Sequence, residues 1–74
     1  MKTIFTHPEC DYSEMLLDEL NMAGEKYHNI NLLVDPEYWD EVENICNGGR
    51  MTPLIINPDG THIVGYQGVA SEFK

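Results

Sequence analysis

Basic residues are scarce in this chain of 74. Four Lys or Arg stand against thirteen Asp or Glu, for a formal net charge of -9 at pH 7. So negative a surface repels phosphate backbones and anionic headgroups, which argues against nucleic acid or membrane as a partner. It would suit a basic partner protein, and it also serves solubility. Long apolar runs are missing, so no segment should span a bilayer. Met1-Lys2-Thr3-Ile4-Phe5 breaks off at His7, Pro8 and Glu9 before any continuous apolar stretch, so no leader peptide is expected and the default location is cytoplasmic. Cysteine is scarce too. Cys10 and Cys46 are alone, and with no C-x-x-C pair a local dithiol or zinc half-site is excluded. Without a leader, a secreted disulfide mini-domain is disfavoured.

What is present suffices for one small domain over residues 1–74. Hydrophobic residues make up 42%, enough for a single core. There are no internal repeats, linkers or low-complexity tracts. Lys2 to Thr6 reads as a strand and His7 to Cys10 as a turn stiffened by Pro8. Asp11 to Ala23 has helical spacing, with Asp11 and Glu14 placed as a capping pair and Gly24 at the position after the helix. Lys26 to Val34 suggests a second strand. Asp35-Pro36 opens a second helix, with Asp35 as N-cap and Pro36 as first residue. Trp39, Val42, Ile45 and Cys46 share one face of it, and Gly48-Gly49 ends it. Leu54-Ile55-Ile56 is a third strand, Asn57-Pro58-Asp59-Gly60 a hairpin turn, and Thr61 to Tyr66 a fourth strand. Gly68 to Phe73 is long enough for a short closing helix. The order is βαβ, then a ββ hairpin, then α, with the first strand pair parallel and the hairpin antiparallel.

Cys10 carries the chemistry. It stands where a strand gives way to a helix, near free backbone N–H groups and the positive end of the helix dipole. Both favour the thiolate, the form that attacks disulfides. The plain alternative is an inert buried cysteine, and polar neighbours Glu9 and Asp11 argue against burial. The carboxylates of Glu9, Asp11 and Glu14 oppose ionisation. For Cys46, a small apolar core residue is the simpler reading and a resolving thiol the functional one. His28 and His62 lack ligand-spaced partners and read as strand residues, so no metal site is expected.

This order of elements, with Cys10-Asp11-Tyr12-Ser13, Met51-Thr52-Pro53 and Gly65-Tyr66-Gln67-Gly68 in sequence, resembles the glutaredoxin branch of the thioredoxin fold over nearly the whole chain. The resemblance implies a βαβαββα architecture with a four-stranded mixed sheet flanked by helices. It implies a cis Pro53 beside the Cys10 sulfur, with the main chain of Thr52 left free to pair with an extended thiol substrate. Ser13 stands where dithiol members carry the resolving cysteine, which implies a monothiol C-x-x-S site. Tyr12 matches the aromatic that packs against the bound thiol. His7 replaces a common lysine and could hold the thiolate only when protonated, the alternative being a solvated turn histidine. Arg50 could meet a substrate carboxylate or be a plain surface arginine. The acidic pair that grips glutathione in the family is missing, and Gln67 and Ser71 are partial substitutes for it. The implied function is exchange of mixed disulfides through Cys10, with glutathione as co-substrate, by a monomer acting on glutathione or a protein thiol. Two alternatives stay open: an iron–sulfur cluster held by Cys10 and glutathione in a dimer, and a redox-inactive binding module that uses the Thr52-Pro53 corner for peptides.

Overall fold

In the computed structural model, which describes residues 1–73, β1 (Lys2–Thr6) is followed by α1 (Asp11–Met22) and β2 (Tyr27–Asn31). β1 and β2 are parallel, as a helical crossover requires. A single 3-10 turn, Pro36–Tyr38, leads into α2 (Trp39–Ile45). Then come β3 (Arg50–Thr52), β4 (Leu54–Ile56), β5 (His62–Val64) and β6 (Ser71–Phe73). Four strands form one mixed sheet in the order β2-β1-β4-β5, and β3 pairs with β6 in a separate two-stranded sheet. The thioredoxin-like fold class is therefore as the resemblance implied.

The period of two along β1 and β4 divides the core. Phe5 and Leu54 face α2 and pack with Ile30, Leu32, Trp39 and Val42. Ile4 and Ile55 face the other way and pack with Leu16 and Leu20 of α1. Leu16 and Leu20 lie one helical turn apart, so α1 lays a single stripe on the sheet. This seats the start of α1 over the end of β1, where the site lies.

The structure differs from the sequence reading at several places: β3 is absent from that reading, and β5 stops at Val64, short of the expected Tyr66. The cap of α1 is Cys10, whose sulfur accepts from the N–H of Ser13, so Asp11 is already the first helical residue. Asp35 makes no side-chain cap. Asn31 takes over that corner, its Oδ1 accepting from Leu33 N–H at 2.9 Å and its carbonyl from Asp35 N–H at 2.9 Å. The second strand therefore stops at Asn31, short of the expected Val34. Last, Gly68 to Phe73 contains no closing helix. Gly65 at φ +93°, Gln67 at +52° and Gly68 at +82° reverse the chain instead, and Tyr66 bridges to Val69. Gly65 is required there, because a Cβ would stand 2.7 Å from the Val69 carbonyl oxygen. Beyond the turn, β6 runs antiparallel to β3.

Candidate functional site

The site is the junction of β1, α1 and β3. The Thr52–Pro53 peptide bond is cis. The Cys10 sulfur lies against this corner. As a thiol it donates to the Thr52 carbonyl at 3.5 Å, and it accepts from the Ser13 N–H at 3.4 Å. The Ser13 hydroxyl is buried beside it and accepts from the His7 N–H at 3.5 Å, which leaves its own proton for the sulfur. The Thr52 hydroxyl is fully buried, has no hydrogen-bond partner among the described residues, and is one of the groups placed to donate to a Cys10 thiolate.

Burial pushes the Cys10 thiol up, but hydrogen bonds from Ser13, Ser71 and Thr52 and from the Ser13 N–H outweigh it. The thiol is held below the ordinary cysteine range. The carboxylates of Glu9, Asp11 and Glu14 belong to exposed residues and are not among the groups that set this balance.

Cys10 itself is only 1% exposed, against the expectation drawn from Glu9 and Asp11. Those two point to solvent while the sulfur points inward. The cover is β6, with Ser71 opposite Thr52 in the β3–β6 ladder. The same pairing corrects the expectation of a free Thr52 main chain, since its edge is taken by this chain's own strand. The surroundings of the sulfur are polar, and this separates it from a cysteine that merely fills a core.

His7 is buried, not solvated. Its Nδ1 accepts from the Glu9 N–H at 3.1 Å, and its ring lies 4.4 Å from that of Phe73 and 6.2 Å from that of Trp39. Arg50 donates from Nε to Glu43 and places its guanidinium 5.3 Å above the Trp39 ring. Tyr12 and Gln67 line an open groove with Met15, Met22, Tyr66 and Val69, along the outer side of α1. Gln67 is exposed there and donates from Nε2 to the Tyr66 hydroxyl at 3.4 Å. So Cys10, Ser13, Thr52 and Pro53 converge on the sulfur, His7 and Arg50 join an aromatic cluster beside it, and Tyr12 and Gln67 share the groove.

Sequence reasoning missed the parts played by Ser71, Phe73 and Trp39. The signal was faint: Ser71 and Phe73 share the period of a strand, after a turn rich in residues that tolerate positive φ.

The sequence matches the family model described as Glutaredoxin over residues 3–63. The chain belongs to the glutaredoxin family. That membership supports a thiol oxidoreductase-type function. The glutaredoxin match ends before the reversing turn and β6, so the strand covering the sulfur lies outside the matched stretch. Comparison with curated proteins and with solved structures gave no match. No helix among the described residues is long and apolar enough to cross a membrane.

Proposed function

We propose that this chain is a monothiol oxidoreductase that exchanges mixed disulfides through Cys10. The Cys10 thiolate attacks one sulfur of a mixed disulfide. A new S–S bond joins Cys10 to that sulfur, the old S–S bond breaks, and the other sulfur leaves as a thiolate that takes a proton from water. The Ser13 N–H, the Ser13 hydroxyl and the Thr52 hydroxyl stabilise the attacking anion. Ser13 in place of a cysteine offers no internal resolving thiol. A second thiol from solution, with glutathione the family's usual one, attacks the mixed disulfide and releases Cys10 as thiolate. No net oxidant is needed, because each exchange breaks one S–S bond and forms one.

The observation that carries this reading is the hydrogen bonding of the sulfur: N–H and hydroxyl donors at the start of α1 and at Thr52, rather than an aliphatic shell. Cys46 does not compete for the role. Burial pushes its thiol up, and a hydrogen bond from the Met51 backbone only partly offsets this. The test is incubation of wild type, Cys10→Ser and Cys46→Ser with oxidised glutathione, read by intact mass. One glutathionyl adduct on wild type and on Cys46→Ser, and none on Cys10→Ser, is the expected result. Adducts that follow Cys46 would refute it.

A further inference from the structure

β6 sits where a partner strand would pair. It is antiparallel to β3, with Thr52 opposite Ser71, Met51 opposite Glu72 and Arg50 opposite Phe73. Side chains two apart on a strand share a face, so Ser71 and Phe73 point the same way. Ser71 meets the Cys10 sulfur. Phe73 enters a cleft walled by His7 at 4.4 Å and Trp39 at 5.5 Å between ring centroids. Arg50 lies over the Trp39 ring and fixes that wall. Glu72 between them faces solvent. The chain thus displays on itself one residue at the sulfur and one aromatic ring two positions later, held by main-chain pairing.

We propose that β6 is a stand-in for the partner: the site takes an extended polypeptide with a cysteine followed two residues later by an aromatic, Cys-x-aromatic, and β6 must leave the edge to admit it. The proposal rests on the exchange reaction proposed above and adds its substrate class. The incoming cysteine takes the place of Ser71, and its ring takes the place of Phe73 between His7 and Trp39. The step is the exchange already written. Cys10 thiolate attacks the cysteine's disulfide, the bond to the outgoing thiol breaks, and that thiol leaves as thiolate. β6 suits the part of a removable cover, since it is three residues long and no residue in it is fully buried.

The test uses two peptides, Ala-Cys-Glu-Phe-Lys and Ala-Cys-Glu-Ala-Lys, equal in charge, each carrying its cysteine as a mixed disulfide with 2-nitro-5-thiobenzoate. Release of the coloured thiolate reports the rate. Wild type should react about ten-fold faster with the Phe peptide, the size expected of one aromatic ring seated among others. Phe73→Ala, which loosens β6 from the cleft, should speed both peptides several-fold and leave the ratio between them as in wild type. Equal rates on both peptides, while 5,5′-dithiobis(2-nitrobenzoate) is still cleaved through Cys10, would overturn the substrate class and leave the exchange reaction standing. If wild type cleaves none of the three disulfides faster than Cys10→Ser, the exchange reaction itself fails and this inference with it. The placement of β6 has its own check, independent of turnover. In Ser71→Cys, oxidised glutathione should join Cys10 to the introduced cysteine, each link releasing two molecules of reduced glutathione. Persistent glutathionylation of both without a link would contradict the stand-in.

Discussion

Cys10 and Cys46 both close a helix, at opposite ends. Cys10 caps the start of α1, where its sulfur accepts a main-chain N–H. Cys46 caps the end of α2, where its own N–H bonds to the Val42 carbonyl at 2.9 Å and its carbonyl accepts from Gly49. Free N–H groups and the positive dipole end favour an anion, while free carbonyls and the negative end disfavour one. Burial pushes both thiols up. Only Cys10 has the donors to overcome it. The lesson is that exposure is a poor guide here: the more deeply buried sulfur is the one poised to ionise.

The comparison breaks most sharply by deletion. Cys10→Ser should lower the rate of mixed-disulfide reduction by at least ~100-fold, and Cys46→Ser should leave it within about two-fold of wild type. A glutathione-coupled assay measures both. Next in size is the cover over the first cysteine. Gly65→Ala puts a methyl group against the Val69 carbonyl at a positive φ, and should cost about 1–3 kcal/mol in denaturant unfolding. By loosening the turn before β6, it should also speed reaction of Cys10 with a bulky maleimide and leave Cys46 unchanged.

Removing one donor sharpens the contrast further. Thr52→Val takes away the unpartnered hydroxyl and should raise the Cys10 thiol. Iodoacetamide alkylation of Cys10 at neutral pH should then fall about three- to ten-fold, with the gap closing at alkaline pH where both proteins are thiolates. The smallest effect is on stability. A thiol lowered on folding stabilises the native state above its unfolded pKa, and that stability is lost as pH falls through the folded pKa. A thiol raised on folding does the reverse: its contribution is present below the unfolded pKa and is lost as pH rises through the folded value. Denaturant melts from neutral to alkaline pH should therefore show Cys10→Ser losing a gain with rising pH, and Cys46→Ser losing a decline.

Much of this arrangement was legible in the sequence, because local pattern and local structure agree over most of the chain. The strand before Cys10, the helix after it, Trp39 and Val42 on one face and the turn at Asn57 to Gly60 all follow from periodicity and turn chemistry. The placement of Cys10, Ser13 and Thr52 around one sulfur came from motif order. What escaped lies in long-range contacts. Glu9 and Asp11 say nothing of a cover delivered from Ser71. His7 beside Pro8 and Glu9 looks solvated until Phe73 and Trp39 close on it. Val69 to Phe73 has no strong period of its own, and it becomes a strand because β3 offers an unpaired edge after a turn that only Gly65 permits. The Asp35 cap failed for a related reason, since Asn31 held that corner first.

The most direct test is the pH dependence of iodoacetamide alkylation at each cysteine of the wild-type chain, resolved by peptide mass. Opening of β6 scales the Cys10 rate at every pH without moving its midpoint, so the midpoint reports ionisation alone. A Cys10 midpoint below the ordinary thiol range, with Cys46 above it, is the predicted result. Coincident midpoints, or Cys46 ionising first, would contradict the account.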